Sequence, residues 1–354
     1  MKAVSETAFI TCFPQFLMTS KSTAPTIDDV ARQAGVSIST VSRVLNHTVP
    51  VSDEIVAKVQ AAMRDLRYTP RAAARTLATA RTNTLGLVLA ELVGDFFSPL
   101  LHGIESVAVQ NGYDLLISTA GRRGPHNQLP HSFDKHNADG LLIFAGCLND
   151  DGVRDIHSLG VPMVLLHQMP PDNLPIPCVT IENKAATRAL VEHLIVRHQR
   201  ARILFLTGEP GNEDGHWREM GYREALERHN LPVREELIAP GHFDRRVAQA
   251  TMERILRERI PFDAVFAGDD EAAVGVYAAL RAASLRIPED VAVVGFDDQS
   301  LAQVLQPALT TVHVPIKQVG IQATHSLIQL LQGKQPEALT LLPTTMILRS
   351  SCGC

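Results

Sequence analysis

One stretch near the start of the sequence, TIDDVARQAGVSISTVSRVLN from Thr26 to Asn46, constrains the fold more than any other. Thr26 followed three residues later by Asp29 matches the capping box that begins many helices. Ala31 is small enough for two helices to cross closely, and Gly35 can take the positive φ of a tight turn. Ser37 then caps a second helix. The stretch predicts a helix-turn-helix whose second helix meets DNA; the alternative is an ordinary helical hairpin with solvated polar faces.

The second helix of this motif exposes side chains that suit a nucleic acid. They are Ile38, Ser39, Ser42, Arg43 and Asn46. Short polar and basic side chains of this kind reach base edges and phosphates. Ile38 has no hydrogen bond to give, so it offers only apolar contact, for instance to a thymine methyl group.

A third helix follows and completes a small core. Ser52 is a candidate N-cap, with two carboxylates behind it in the first turn, where they favour the helix dipole. Val51 and Val56 can form a hydrophobic staple. The helix then carries an apolar stripe that can close over Val30 and Val41. The stripe consists of Val56, Val59, Met63 and Leu66.

Four segments occur in an order and at distances typical of one family: GVSISTVSRVLN, VSDEIVAKVQAAMRDLRYTP, RAAARTLA and, much later, VAVVGFDD. Through them, and through nearly all of the chain, the sequence resembles the LacI/GalR family of bacterial transcriptional regulators. The resemblance implies an all-α helix-turn-helix head and an α/β periplasmic-binding-protein-like type I body of two doubly wound lobes. It also implies a homodimer on a near-palindromic operator and a small effector between the lobes.

The same resemblance assigns roles in the head. It places Ile38 and Ser39 where relatives read bases, and Arg43 where it reaches a guanine. Thr40 and Asn46 would hold phosphates. The residues expected to contact DNA are Thr26, Ser37, Ile38, Ser39, Thr40, Ser42, Arg43, Asn46, Ala74 and Leu77.

The alanine-rich run from Arg71 to Ala80 is strongly helix-prone but too short to hold a helix alone in water. We therefore expect a hinge that folds only when it packs against its twin from a second subunit over DNA. The resemblance implies that Leu77 is an apolar wedge in the minor groove, with Ala74 beside it. The alternative is a flexible linker whose Leu77 packs on the body.

From Thr84 onward, short apolar runs alternate with amphipathic helices, one of them expected to begin at Trp217, and this alternation predicts parallel sheets. Open parallel sheets bind ligands at the carboxyl ends of their strands. Those ends carry Glu91, His167, Glu209, Asp269 with Asp270, and Asp297 with Asp298. Carboxylates facing a cleft suit the hydroxyls of a sugar or a nucleoside.

The resemblance narrows this set to residues that hold an effector: Asp297 and Arg218, with Asp269 nearby. Phe97 and Phe243 match aromatic positions that flank the ligand in relatives. The predicted effector site is Phe97, His167, Arg218, Phe243, Asp269 and Asp297. The alternatives are that Asp270 and Asp298 merely cap the segments that follow them, and that the phenylalanines belong to the core.

One segment departs from the family pattern. Where relatives have a continuous helix, residues Gly121 to Asn137 are shortened and broken by Pro125 and Pro130, so no regular helix is expected. Contacts from this region cannot be carried over, and Arg122 or Arg123 can supply others. The effector class therefore stays open.

Charge and boundaries fit a basic head on an acidic body. Residues 21–81 hold nine basic and five acidic side chains, about +4, within a chain of net charge −5.

We expect an extension without fixed structure over 1–20, with Met18 as the true start. After this extension we expect a DNA-binding domain over 21–69, a hinge over 70–82, and an effector and dimerisation domain over 83–354.

Five scattered cysteines favour free thiols in a reducing cytosol over a disulfide framework. Cys352-Gly353-Cys354 has no partner ligands nearby in the sequence, so a frayed tail is predicted there in preference to a metal site. No metal or cofactor is expected, and no apolar run is long enough to cross a bilayer.

Other functions fit the sequence less well. The stretch TGEPGNEDG lacks the Gly-Lys-Ser/Thr of a nucleoside triphosphate site, and neither a Gly-x-Ser-x-Gly elbow nor a His-Glu-x-x-His zinc motif occurs. A solute-binding protein that carries a sugar without specific DNA binding would explain the body but not the basic head. We therefore expect a cytoplasmic, dimeric transcription factor without enzymatic activity. In this family that is most often a repressor of carbohydrate-utilisation genes. No leucine heptads follow the last strand, so no helical tetramer bundle is expected.

Overall fold

The computed structural model describes residues 25–46, 50–68, 81–90, 95–120, 129, 133 and 137–354. The chain divides into two units, Met1–Thr79 and Ala80–Cys354, called here the head and the body. The predictions for the extension over 1–20, for Ala74 and Leu77 of the hinge, and for nearly all of residues 121–137 lie outside the described residues.

The head contains three described helices: α1 (Ile27–Ala34), α2 (Ile38–Asn46) and α3 (Asp53–Leu66). The predicted capping box is confirmed, because the Thr26 amide donates to the Asp29 carboxylate at 2.9 Å and the Thr26 hydroxyl accepts from the Asp29 amide. Gly35 ends α1 at φ 67°. The Ser37 hydroxyl accepts from the Thr40 amide at 3.2 Å, which caps α2.

The small core of the head also matches the expectation. Val30, Val41 and Val59, one from each helix, are fully buried, and Val51 and Val56 pack against them. Ser52 precedes α3 as predicted, but its side chain makes no capping hydrogen bond. Burial of this apolar stripe holds the turn between α1 and α2 in place.

In the body, the first nine elements alternate between strands and helices, apart from two places where strand follows strand. In chain order they are β1 (Thr84–Leu89), α4 (Phe97–Gln110), β2 (Asp114–Thr119), β3 (Gly140–Phe144), α5 (Asp150–Ser158), β4 (Met163–Leu166), β5 (Cys178–Ile181), α6 (Lys184–His198) and β6 (Ile203–Thr207).

The remaining elements continue the pattern up to a final pair of strands. They are α7 (Glu213–Arg228), β7 (Ile238–Pro240), α8 (Arg245–Glu258), β8 (Ala264–Ala267), α9 (Asp270–Ala282), β9 (Ala292–Val294), α10 (Ser300–Val304), β10 (Thr311–His313), α11 (Ile316–Leu331), β11 (Leu339–Leu342) and β12 (Thr345–Ile347). Short 3₁₀ turns lie at Pro171–Asn173, Glu235–Leu237 and Ser350–Cys352.

Two parallel sheets define two lobes. Lobe 1 is a six-stranded sheet in the order β11-β5-β4-β3-β1-β2, and lobe 2 a four-stranded sheet in the order β7-β6-β8-β9. Strands β10 and β12 form an antiparallel ribbon that joins lobe 2 through bridges such as Asp297 to His313. The chain passes between the lobes after β5, before α11 and between β11 and β12. The predicted pair of doubly wound lobes with more than one crossing is confirmed.

Helices cover both faces of the sheets, which is why the strands are nearly continuous apolar runs. Every residue of β3 is buried. Helices α4 and α11 approach so closely that a Cβ on Gly103 would lie 2.2 Å from the Lys317 carbonyl oxygen. No helix in the described part of the chain is long and apolar enough to pass through a bilayer.

Two local predictions were wrong. The helix expected from Trp217 begins at Glu213, because the Asn212 side chain caps it by accepting from the Gly215 amide at 2.9 Å. The expected frayed tail is instead folded: Cys352 is fully buried at the end of the last 3₁₀ turn. The Ser351 hydroxyl fixes that turn by donating to the Val293 carbonyl at 2.6 Å.

Candidate functional site

The exposed side of α2 in the head carries the predicted DNA-reading residues. Ile38 is 47% exposed, and Arg43, five residues further along α2, is also exposed. The Ser37 hydroxyl group is hydrogen-bonded to those of both Ser39 and Thr40, each at 2.8 Å. Asn46 is the last residue of α2. The helix therefore presents an apolar tip, a hydroxyl cluster and a guanidinium on one surface.

In the body, polar side chains meet between the lobes where the sheet rule predicts a ligand. His167 follows β4 in lobe 1, and Asn183 lies in the first crossing. Asp214 and Arg218 lie in the first turns of α7, and Asp297 follows β9. These five residues are called the interlobe cluster.

The cluster is a continuous hydrogen-bonded chain across the lobes. His167 Nδ1 lies 2.7 Å from Asp214 Oδ2, and Asp214 Oδ1 accepts from the Asn183 amide at 2.7 Å. Arg218 Nε donates to Asn183 Oδ1 at 2.9 Å, and Arg218 Nη2 donates to Asp297 Oδ1 at 3.2 Å. The predicted His167, Arg218 and Asp297 are thus brought together through two residues that the sequence did not single out.

Arg218 is the centre of this network. It is 3% exposed and also donates from Nη1 to the Gly268 carbonyl at 2.7 Å. Its guanidinium lies 3.8 Å from the centre of the Phe296 ring and 5.3 Å from that of Phe243. Phe243 fits here because a Cβ on Gly208 would lie 2.5 Å from its ring. Aromatic faces stabilise a partly desolvated cation.

Phe97 lies on the lobe 1 side, in an aromatic group rather than in direct contact with Arg218. Its ring packs edge-on to Phe144 at 5.3 Å, and Phe144 stacks on His167 at 5.0 Å. Phe96 also contacts all three rings. The group forms an apolar wall next to the polar chain.

The aspartates at the strand ends divide between capping and pairing. Asp269 caps α9, because its side chain accepts from the Ala272 amide at 2.7 Å. Asp270 accepts from the Thr311 hydroxyl at 2.7 Å and from the Gln299 amide. Asp298 pairs with Arg349 and lies 3.0 Å from His313 Nδ1. Asp269 thus caps a helix, whereas Asp270 and Asp298, for which the capping alternative was raised, do not.

Burial and crowded carboxylates set the electrostatics. Burial and the neighbouring Asp297 raise the pKa of Asp269 to about 8. Burial also raises the pKa of Asp297, although Arg218 opposes the shift. For Asp214, burial alone would raise the pKa, but His167 and Arg218 overcome it and hold the pKa below its ordinary value. Acidic side chains therefore outnumber the single guanidinium at the cluster, and burial raises the pKa of both Asp269 and Asp297.

Some buried polar atoms at the cluster have no hydrogen-bond partner among the described residues. They include His167 Nε2, Gln168 Oε1 and Gln299 Oε1. Such atoms cost free energy unless a ligand or water satisfies them. An open cleft of about 880 Å³ lies between the lobes. It is lined from lobe 1 by Gln168, next to His167 in the chain, and from lobe 2 by Glu213 and Gly215, which flank Asp214, but by none of the five cluster residues themselves.

Comparisons with known proteins cover both units. A family model described as "Bacterial regulatory proteins, lacI family" matches residues 26–71, and one described as "Periplasmic binding protein-like domain" matches residues 191–352. The chain is 34% identical over 326 residues to the ribose operon repressor of Escherichia coli (strain K12), covering 91% of this chain and 98% of that relative.

Solved structures agree. The lac repressor dimer bound to operator and an anti-inducer is similar with a TM-score of 0.81 and 29% identity, over 93% of this chain and 99% of that one. The complex of the transcriptional regulator CelR with cellobiose is similar with a TM-score of 0.68 and 28% identity, over 92% of this chain and 99% of the other.

Proposed function

Because the chain belongs to the lacI family of bacterial regulatory proteins, we propose that the interlobe cluster is the effector site of this DNA-binding transcriptional regulator and that its effector is a neutral sugar. The observation that carries the proposal is a buried hydrogen-bonded chain that joins the two lobes and whose neighbours in sequence, Gln168, Glu213 and Gly215, line an open cleft.

The charge balance favours a neutral ligand. Asp297 accepts from the only guanidinium of the cluster, which also helps to hold the pKa of Asp214 down, and the buried Asp269 and Asp270, whose pKa values are raised, supply no further cation. A phosphate or carboxylate ligand would therefore meet no unmatched guanidinium in the cluster, whereas hydroxyl groups donate to carboxyl oxygens without adding charge. The unpaired His167 Nε2 and the amide oxygens of Gln168 and Gln299 offer further partners for a polyol.

The aromatic residues suit the other face of a sugar. Phe97 and Phe144 form one apolar wall and Phe243 lies across the cluster next to Arg218. Binding sites commonly combine apolar walls with a few convergent polar groups. The proposed effector contacts are Phe97, His167, Arg218, Phe243, Asp269 and Asp297, to which the structure adds Asn183 and Asp214.

The relatives support a sugar. One is named for the ribose operon, and one similar structure is a complex with cellobiose. The carboxylate-rich cluster favours the polyhydroxylated ligand.

For the head, we infer that α2 enters the major groove and that Ile38, Ser39 and Arg43 contact bases, with Thr40 and Asn46 on phosphates. The hydroxyl cluster and exposed guanidinium of α2 support this assignment. Thr26 is exposed at the start of α1, although its hydroxyl is engaged by Asp29. The hinge roles of Ala74 and Leu77 remain predictions.

Regulation follows from the position of the cluster. An effector that bonds to groups of both lobes binds one arrangement of the lobes better than another, and only such differential binding shifts a population. We infer that this shift alters the spacing of the two hinges in a dimer and hence the affinity for operator.

We also propose that the protein works in the cytoplasm and does not catalyse a reaction. Its DNA target and the buried free thiols Cys147 and Cys178 suit a reducing compartment. The His167–Asp214 pair resembles part of a catalytic triad, but within the described residues His167 Nε2 has no partner that could act as a nucleophile.

The sole tryptophan provides a direct test. Trp217 lies between Asp214 and Arg218 in sequence, is 40% exposed and donates to Glu213, so its fluorescence should report ligand in the cleft. A panel of neutral pentoses, hexoses and disaccharides should include one sugar that changes the fluorescence saturably, while the matching sugar phosphates do not. Asp297→Asn should weaken this binding at least about tenfold, since a site built to accept a hydroxyl loses that contact. Asp114→Asn, an exposed control on β2, should bind normally. Equal binding by both variants would refute the site.

A further inference from the structure

Four metal-binding side chains meet where α6 lies next to the segment after β12. They are His193, His198, Cys352 and Cys354, called here the Cys–His cluster. One ligand atom from each lies within 4.8 Å of the others, although more than 150 residues separate the two histidines from the two cysteines. No feature of the effector site uses them.

Two rigid segments bring the cluster together. His193 and His198 lie five residues apart on α6, whose last residue is His198. Cys352 ends a 3₁₀ turn, and Gly353 at φ 105° turns the chain back so that Cys354 reaches the same place. A Cβ on Gly353 would lie 3.2 Å from His198 Nδ1, so the positive φ and the close approach both favour glycine.

The distances match those between the ligands of a tetrahedral metal. With zinc bonds of about 2.3 Å to sulfur and about 2.0–2.1 Å to nitrogen, tetrahedral ligands stand roughly 3.3–3.8 Å apart. Here the two Nε2 atoms are 3.1 Å apart, and Cys354 Sγ lies 3.3 Å from that of His193 and 3.4 Å from that of His198. Cys352 Sγ lies 3.7 Å from His193 Nε2.

From this geometry we propose that His193, His198, Cys352 and Cys354 bind one zinc ion in a closed, structural site. Two thiolates and two imidazoles are a ligand set that zinc prefers, and four protein ligands leave no open position for catalysis. The two thiols release their protons on binding, so the cation and the two thiolates form a neutral unit beside the buried Cys352.

The surroundings suit a metal more than a set of free side chains. Without a metal, the two Nε2 atoms at 3.1 Å can share at most one proton favourably. The Thr310 hydroxyl lies 3.2 Å from Cys352 Sγ and can donate to a thiolate there.

A metal here would join α6 to the segment after β12. That segment also carries Arg349, which binds Asp298 next to the effector-site Asp297. The inference does not depend on the identity of the effector, because none of the four ligands belongs to the interlobe cluster.

The test uses the full chain purified under reducing conditions, with metal content measured by mass spectrometry. We expect about one zinc ion per chain. After removal of the metal, titration with Co²⁺ should give the visible bands of tetrahedral cobalt and a sulfur-to-cobalt charge-transfer band. Cys354→Ser and His198→Gln should each weaken Co²⁺ binding by at least about tenfold, the lower limit even for residues that only support a ligand.

Two controls separate metal loss from misfolding. Cys354 is exposed, so Cys354→Ser should keep the circular dichroism spectrum of the parent. His229→Gln, at the end of α7, should bind Co²⁺ as tightly as the parent. A metal-free chain with no tetrahedral cobalt bands would overturn the proposal. So would unchanged binding in Cys354→Ser, or a Cys352–Cys354 disulfide in protein purified without oxidant.

Discussion

Replacement of Arg218 by methionine should destabilise the body by about 3–5 kcal/mol, the usual cost of removing one partner of a buried ion pair. Arg218 and Asp297 side chains are 4% and 7% exposed. Without the guanidinium, Asp297 must either stay charged in a buried site or take up a proton. Protonation from an ordinary pKa of 3.8 costs about 1.4 kcal/mol for each unit up to pH 7, which limits the part of the penalty that comes from Asp297 to about 4 kcal/mol. The lost hydrogen bonds of Arg218 to Asn183 and Gly268 account for the rest.

Urea unfolding at pH 7 measures this penalty. Adding Asp297→Asn to Arg218→Met removes the stranded charge, so the double variant should be more stable than Arg218→Met alone by about 1–3 kcal/mol. Arg223→Met on the same helix is the matched control, because the Arg223 side chain is 33% exposed in its ion pairs and its loss should cost about 0–1 kcal/mol. A loss below about 1 kcal/mol in Arg218→Met, or further destabilisation by Asp297→Asn, would refute this account of the cluster.

Three further predictions concern single side chains. Asp269 has a pKa of about 8 in the folded chain and 3.8 in the unfolded chain. Between these two values the folded state holds a proton that the unfolded state lacks, so the free energy of unfolding falls as pH rises. Asp269→Asn keeps the cap, and its stability relative to the parent should increase between pH 5 and pH 8, by up to about 1.4 kcal/mol per unit; a constant difference in urea unfolding would contradict this. Thr26→Ala removes the capping box and should cost the head about 1 kcal/mol in thermal unfolding, while Thr26→Ser should cost much less. Arg43→Ala should lose about 1–3 kcal/mol of operator binding and relax the base preference at one position in each half-site, whereas an equal loss on all sequences would show a phosphate contact instead.

Local signals in the sequence were sufficient to predict the helices and turns of the head. The capping box of Thr26 and Asp29, the turn at Gly35 and the cap at Ser37 each depend on residues a few positions apart. Such interactions depend only on residues close in sequence, so they can be predicted before any tertiary structure is known. The apolar stripe of α3 follows the helical period and packs as expected.

The proposed effector site was only partly predictable. The rule that ligands lie at the carboxyl ends of strands found His167, Asp269 and Asp297, because strand ends are visible as the ends of apolar runs. Asn183 and Asp214 do not follow a strand end. Asn183 lies in a crossing between the lobes, and Asp214 lies in the first turn of α7, which begins four residues before its predicted start. An Asn at position 212 followed by two acidic residues was the cue for that earlier start.

The Cys–His cluster could not be recognised from spacing. Its histidines are on α6 and its cysteines follow β12, and only the packing of lobe 2 brings them together. Short zinc motifs are recognisable because their ligands lie close in sequence. Here the two histidines alone resemble residues on an ordinary helix surface, and the two cysteines alone resemble part of a frayed chain end.

The most direct test of the central claim is selection of bound sequences from random duplex DNA by the full-length protein, with and without a panel of neutral sugars, for the parent and for Asp297→Asn. We predict that both proteins enrich the same near-palindrome and that one sugar changes the enrichment for the parent but not for the variant. Enrichment of no sequence, or an identical response of both proteins to the sugar, would contradict a DNA-binding regulator controlled through the interlobe cluster.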